Sequence, residues 1–260
     1  MPESSPSAAA APTLDFSGQV VLITGATRGI GAAVAADLER AGADLILTGT
    51  NPQAIAEANR DSVKRGRRVR YLQADFSDDA STAKFLGELS RIPRIDVCIN
   101  NAGINKIDPI YDLTPADYER VTRVNLGAPT MICAAVCSTM KQAGYGRIVN
   151  IASIWSTATK AGRALYSMTK TGLVGLTRTV AVDMAPYNVL ANAVSPGFTR
   201  TELTASTLSA SDAAALAAQV PLNRFAEPAE ISKVIVFLAS GLNTYLTGQN
   251  IVVDGGFTLV

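Results

Sequence analysis

The 260-residue chain contains no histidine and only three cysteines, Cys98, Cys133 and Cys137, none of them in a C-x-x-C pair. Without imidazole there is no Ser-His-Asp hydrolase, and any acid–base chemistry must come from Tyr, Lys, Asp, Glu or water. Three cysteines so spaced do not make a zinc site or a disulfide framework, so buried free thiols and no metal are expected. Charge of one sign is also lacking: 23 basic against 22 acidic residues leave a net charge of +1, which argues against nucleic-acid and acidic-membrane partners. No run approaches the roughly 18 apolar residues of a membrane span. The first 13 residues, MPESSPSAAAAPT, carry no Lys or Arg. They read as a disordered leader (1–13) rather than a signal peptide, which makes 14–260 one domain in an expected cytoplasmic, reducing setting.

What is present is alternation. Short apolar runs at Val20–Ile23, Ala43–Gly49, Arg68–Gln73, Ile95–Ile99, Arg147–Ile151, Asn188–Val194 and Asn250–Val253 predict about seven strands. Between them, helical patterns fall at Gly29–Ala41, Pro52–Lys64, Asp78–Ser90, Pro115–Thr122, Leu126–Gln142, Gly162–Pro186, weakly at Asp212–Gln219, and at Pro228–Ser240. This order predicts an α/β fold, a single-domain, Rossmann-type, doubly wound parallel sheet with helices on both faces. The basic cluster Lys64–Arg70 lies at a helix end and turn and is expected to be a solvated face.

In such sheets ligands sit outside the carboxyl ends of the strands. The polar and glycine-rich tags of this chain fall there: Thr24–Gly31, Gly49–Asn51, Asp75–Phe76, Asn100–Gly103, Ala152–Ser153 and Ser195–Thr201. The first, TGATRGIG, joins a buried strand to a helix N-terminus, whose unpartnered N–H groups and dipole suit a pyrophosphate. Its glycine spacing, G-x-x-x-G-x-G, departs from the G-x-G-x-x-G fingerprint. Further along, Tyr166 and Lys170 stand four residues apart, so a phenol and an ammonium share one helix face. A phenol with a pKa of about 10 is a poor acid–base group at neutral pH, and a nearby cation is expected to lower it. Ser153 leaves its strand with a hydroxyl for a carbonyl oxygen.

Together, TGATRGIG, Asp75, NNAG at Asn100–Gly103, Asn125, Ser153, Tyr166, Lys170 and Pro196-Gly197 resemble the short-chain dehydrogenase/reductase family in its compact form. The resemblance runs in order from about residue 16 to 260 and is most like the 3-oxoacyl-carrier-protein reductase branch. It implies an oxidoreductase acting on CH–OH groups, with Tyr166 as general acid or base, Ser153 polarising the carbonyl, Lys170 lowering the tyrosine pKa and holding the nicotinamide ribose, and Asn125 fixing a relay water. It implies a dinucleotide against Thr24, Gly25, Thr27, Arg28, Gly29, Ile30 and Gly31, then Asp75 and Phe76 at the adenine. Asn101, Ala102 and Gly103 would line the adenine ribose and its surroundings, and Pro196, Gly197, Thr199 and Thr201 would meet the carboxamide. It also implies a homotetramer.

NAD readers place an acid after the second strand, whereas this chain has Thr50 and Asn51 there and Arg28 in the loop. That charge pattern favours NADP(H) over NAD(H). For the substrate, Trp155 and Phe198 are expected pocket walls beside Ser153 and Tyr166, with Leu203 and Leu208 on a lid over 195–225. Lys106, Lys160 and Arg163 would suit an anionic or carrier-linked small molecule. The reading that results is an NADP(H)-dependent carbonyl reductase of 3-oxoacyl type. Its rivals are a dehydrogenase of a sugar, polyol or other secondary alcohol, and a non-enzymatic dinucleotide-binding regulator.

Overall fold

The strands form because apolar, β-branched runs are stopped by glycine and polar residues, and the inner strands are buried on both faces. The computed structural model describes residues 14–202, 204 and 209–260; the leader expected at 1–13, and Leu203 and Leu208, lie outside the described residues. Seven strands, β1 (Val20–Ile23), β2 (Asp44–Gly49), β3 (Val69–Gln73), β4 (Val97–Asn100), β5 (Gly146–Ile151), β6 (Val189–Pro196) and β7 (Asn250–Val253), form one sheet in the order β3-β2-β1-β4-β5-β6-β7. All six pairings are parallel. The sequence order reverses between β1 and β4, which opens the crevice where a doubly wound sheet binds its ligand.

Among the described residues, eight helices accompany the sheet: α1 (Gly29–Arg40), α2 (Pro52–Lys64), α3 (Asp79–Leu89), α4 (Pro115–Thr122), α5 (Ala128–Ala143), α6 (Ala164–Met184), α7 (Ala210–Ala217) and α8 (Pro228–Ala239). Strand side chains alternate between two cores. Val21, Ile23, Val97, Ile99 and Val149 pack with Val34 and Leu38 of α1 and Ile231 and Ile235 of α8. Leu22, Cys98 and Ile148 point the other way, to Phe85 of α3, Ile132 and Val136 of α5, and Val180 of α6. This two-sided burial explains why the strands read as continuous apolar runs rather than as alternating ones.

Several boundaries differ from expectation for identifiable reasons. The fifth helix starts at Ala128, and the residues before it, Arg123–Gly127, form a π-turn in which the Ala128 N–H donates to the Arg123 carbonyl. Pro129, lacking an N–H, cannot close the ordinary bond to the residue four back, so the turn widens. The stretch expected as helix from Gly162 begins only at Ala164, because Gly162 has φ +77°. That helix ends at Met184, and Pro186 falls in a short 3-10 turn, Ala185–Tyr187. Asn188, expected in the sixth strand, sits at φ 56° and ends that turn instead.

The basic cluster is largely neutralised where it stands. Arg67 makes a two-pronged pair with Glu39 at 2.6 Å, Arg65 meets Asp61 at 2.8 Å and Arg68 meets Asp44 at 3.1 Å. Among the described residues no group of His, Cys, Asp and Glu is arranged to hold a metal. No described helix is long and apolar enough to cross a membrane. Cys98 and Cys133 are buried free thiols and Cys137 is half-buried; burial pushes Cys133 up to about 12 and Cys137 to about 11.

Candidate active site

The strand exits converge on one cleft of about 890 Å³. At the end of β1 the chain turns at Gly25, φ +63°, and Gly29, φ +56°, conformations that favour glycine. A Cβ on Gly25 would lie 2.9 Å from the Ala102 Cα, and one on Gly31 would lie 2.5 Å from both Asn101 Nδ2 and the Gly25 carbonyl. Gly31 therefore lets α1 press on the loop; the structure places it behind the cleft wall, not on it, because the space it leaves is filled by protein. Thr24 is likewise behind the wall. Its buried hydroxyl accepts from the N–H groups of Asn101 and Ala102, both at 3.0 Å, tying the β1 exit to the β4 exit.

Asn101 completes that tie by donating its amide to the carbonyls of Thr24 at 3.0 Å and Gly25 at 2.9 Å. What remains exposed to the cleft is a rim of Gly25, Thr27, Arg28, Gly29 and Ile30, faced by Asn101, Ala102 and Gly103. Arg28 caps α1 with its backbone, and no side chain claims the first-turn N–H groups. Those donors and the helix dipole suit a phosphate. The shape and donor set of this rim fit a dinucleotide: glycine where backbone must approach, open N–H groups at a helix start, and a long cleft leading away.

The neighbouring exits carry the expected tags, with one exception. Thr50 lines the cleft. Asn51, expected beside it, caps α2, its side-chain oxygen accepting from the Ala54 N–H at 3.0 Å, and is not on the cleft wall. Asp75 lines the cleft with its carboxylate held below the usual range by the Ser77 hydroxyl and backbone N–H, at 2.7 and 2.9 Å. Phe76 lies against the same wall, its ring packed edge-on against Phe85. Arg28, 65% exposed at its side chain, reaches toward Glu202 at 3.6 Å.

The other end of the cleft holds the polar cluster. Ser153 leaves β5 in an extended conformation and is buried, its hydroxyl accepting from the Trp155 N–H at 3.3 Å. Tyr166 and Lys170 project from one face of α6 into the same space. Lys170 is buried with its ammonium on the Ile151 carbonyl at 2.6 Å, and burial brings its pKa down to about 8. Its nitrogen lies 5.6 Å from the Tyr166 ring centre. Contrary to expectation, the Tyr166 phenol is raised above its ordinary value. Burial drives it up, while the Ser153 hydroxyl and the Arg163 guanidinium act in the opposite direction. Desolvation of the phenolate outweighs the neighbouring charges.

Asn125 sits in the π-turn, fully buried and not on the cleft wall. Its amide exchanges two hydrogen bonds with the backbone of Ile104, accepting at 2.8 Å and donating at 2.9 Å, and it also donates to the Thr169 hydroxyl at 3.2 Å. Behind the cluster a chain of buried amides runs from Asn100 to Asn150 at 2.8 Å and from Asn150 to Thr177 at 2.9 Å.

Pro196, Gly197, Thr199 and Thr201 line the cleft after β6. A Cβ on Gly197 would lie 2.7 Å from Asp254. Trp155 and Phe198 form an aromatic wall, with ring centres 6.3 Å apart. The sequence did not single out two further members, Phe225, stacked on Phe198 at 5.3 Å, and Phe257, edge-on to it at 5.0 Å. Of the three cations expected near the mouth, Lys106 is paired with Asp108 at 2.7 Å and Asp117 at 3.4 Å. Lys160 does not reach the cleft, and Arg163 lines it.

Known proteins resemble this chain in sequence and in shape. The family model described as enoyl-(acyl carrier protein) reductase matches residues 25–258. The 3-oxoacyl-(acyl-carrier-protein) reductase FabG of Aquifex aeolicus (strain VF5) is 38% identical over 245 residues, covering 94% of this chain and 98% of its own. Its Escherichia coli (strain K12) counterpart is 33% identical over 248 residues, 95% of this chain and 100% of its own. In shape, a gluconate 5-dehydrogenase from Burkholderia cenocepacia J2315, solved with NADP and tartrate, superposes with a TM-score of 0.87 at 32% identity, covering 95% of this chain and 98% of its own. With a glycine-lined dinucleotide cleft, Ser153, Tyr166 and Lys170 at its far end, and relatives matched along nearly the whole length, the chain belongs to the short-chain dehydrogenase/reductase family.

Proposed function

We propose that the protein is an NADP(H)-dependent reductase of ketones of the 3-oxoacyl type, with Tyr166 as the proton donor. The observation that carries this reading is the placement of Ser153, Tyr166 and Lys170 on one cleft with the glycine rim of β1–α1. A nicotinamide held in the cleft would supply the hydride that the carbonyl carbon takes up. Ser153 donates a hydrogen bond to the carbonyl oxygen and orients it toward the phenol. Burial keeps Tyr166 protonated at neutral pH, the form that can give a proton to the developing alkoxide. Oxidation of an alcohol runs through the same groups in reverse, with the phenolate taking the proton, so the preference for the reductase reading rests on the 3-oxoacyl reductase relatives.

Lys170, at about 8, is mostly an ammonium at neutral pH and can hold the ribose hydroxyls while returning a proton toward Tyr166. Both Asn125 Oδ1 and Lys170 Nζ lie 3.4 Å from the position a Cβ on Gly103 would take, so Gly103 keeps open the space where a water would join them. Asp75 accepts from the adenine amino group. Arg28 and Thr50 receive the 2′-phosphate; no carboxylate follows β2 to repel it. The FabG relatives support the 3-oxoacyl substrate class, and the gluconate dehydrogenase neighbours support the alcohol alternative. A cytoplasmic setting suits the free thiols. A homotetramer suits the apolar side chains left outside, Val182 on α6 and Leu259 and Val260 at the C-terminus.

Initial rates on a panel of ketones and secondary alcohols, each with NADPH and NADH and their oxidised forms, test the reading. Ketone reduction with NADPH is expected to dominate, and Tyr166→Phe is expected to reduce kcat by about 10²-fold or more. Turnover intact in Tyr166→Phe would remove the phenol from the mechanism, and no turnover of any ketone or alcohol by the wild type would leave the regulator alternative standing.

A further inference from the structure

Arg163 is a cation that the fold holds at a cost. Its side chain lines the cleft beside Trp155 and Tyr166. Its Nε is buried without a hydrogen-bond partner, and among the described residues no carboxylate lies within ion-pair distance of its guanidinium. Nearby Asp108 is already taken by Lys106 at 2.7 Å. Arg163 is also the residue immediately before the 21-residue helix α6, and no side chain caps that end. The helix dipole is positive there, so a guanidinium is the wrong charge for the position. Burial lowers its proton affinity, in keeping with a desolvated, unpaired charge. The one partial compensation is the Trp155 ring, whose centre is 5.8 Å from the guanidinium carbon, a contact of about 0.5–1 kcal/mol at such a site.

Arg163 is half-buried, and a guanidinium with an unpartnered buried Nε and a face on the cleft matches a carboxylate in a two-pronged geometry. Arg163 precedes Tyr166 by one helical turn, which places their Cβ atoms about 5–6 Å apart. An anion on Arg163 would therefore lie within a few bonds of the carbon whose oxygen meets Tyr166. We propose that Arg163 is a specificity-determining residue that binds the carboxylate of the substrate, making the preferred substrates free oxo acids with the acid group close to the ketone, and not acyl thioesters. This rests on the reductase reading and narrows its substrate class, since a thioester carries no negative charge at that point.

The rival role for Arg163 is electrostatic, acting only on the Tyr166 phenol. A series of straight-chain oxo acids beginning with acetoacetate, each beside its methyl ester, separates the two. The expected result is a wild-type preference for acid over ester in kcat/KM of roughly a hundredfold, carried mainly in KM. That preference should collapse to near unity in Arg163→Ala and return in part in Arg163→Lys, which keeps a positive charge beside Tyr166. Esters handled as well as acids by the wild type, or a preference that survives Arg163→Ala, would overturn the proposal, as would equal losses on both with a shifted pH profile. Should no ketone be reduced, the reductase reading fails by itself. Calorimetric titration of acetoacetate into the NADP⁺-loaded protein then still decides the anion site: binding that is lost in Arg163→Ala supports it, and binding that is equal in both proteins, or absent from both, overturns it.

Discussion

Lys170 donates a 2.6 Å hydrogen bond to the carbonyl of Ile151 and is nearly inaccessible to water. A buried ammonium served by one carbonyl is a poor exchange for hydration, which is why its pKa falls from 10.5 to about 8. Between those values the unfolded chain holds the proton and the folded chain does not, so this group makes stability rise with pH across that window. Below it the full cost applies, roughly 3 kcal/mol for a shift of this size. Lys170→Met is expected to flatten that rise, measured by urea unfolding at the two ends of the window, while reductase activity is lost. An unchanged slope would place the ammonium in a wetter setting than the one described.

Arg28 and Glu202 are both exposed and 3.6 Å apart, so their pairing is worth little, and a 2′-phosphate can take the guanidinium. Arg28→Ala is expected to lower the preference for NADPH over NADH by at least about tenfold, roughly 1.4 kcal/mol. Glu202→Gln removes a carboxylate beside the phosphate site and is expected to raise the preference. Fluorescence titration of the two reduced cofactors checks both, and a rise on Arg28→Ala would contradict the assignment.

Asn125 exchanges two hydrogen bonds with Ile104 and donates a third to Thr169 in a fully buried site. In Asn125→Ala the Ile104 N–H and carbonyl lose their partners, at about 1–3 kcal/mol each. A clear drop in Tm is expected together with lost activity. A variant of unchanged Tm would mean that the π-turn can close without the amide.

Gly31 and Gly87 make a paired test of close packing. A methyl on Gly31 meets Asn101 and the Gly25 carbonyl at 2.5 Å, whereas one on Gly87, inside α3, meets nothing within 4 Å. Gly31→Ala is expected to cost about 1–3 kcal/mol and to weaken cofactor binding. Gly87→Ala is expected to stabilise by about 0.5–1 kcal/mol. Thermal unfolding with and without NADP⁺ reads both.

Much of the fold was legible because the inner strands are short, two-sided apolar runs and the spacing of all seven leaves room for a helix between each pair. The residues at the strand exits were legible because glycine and isolated polar residues interrupt those runs. What periodicity could not show was direction. Thr24, Gly31 and Asn51 sit at the right places in the chain, but their side chains, or the space where one would be, serve the protein's own backbone. Nor could it weigh burial against charge. Tyr166 and Lys170 were correctly set on one face, yet desolvation decides the tyrosine, and that depends on residues far away in sequence. The π-turn had one signal in plain view, Pro129 placed four residues after Asn125. The Phe225–Phe257 part of the aromatic wall had none, because it is assembled from segments outside any periodic element.

The amide chain behind the site has a consequence for how the sheet is assembled. Asn100 and Asn150 are register partners across β4 and β5, and they bond to each other at 2.8 Å. A slip of one residue between these strands would turn Asn100 and Asn150 to opposite faces and break the bond between them, leaving the Asn150 amide oxygen buried without its donor, at about 1–3 kcal/mol for an orphaned group. Apolar neighbours such as Ile99 and Val149 would tolerate the shift far better. The pair therefore works as a reading-frame check for the parallel sheet, admitting only the alignment in which the strand ends, and everything mounted on them, come out level.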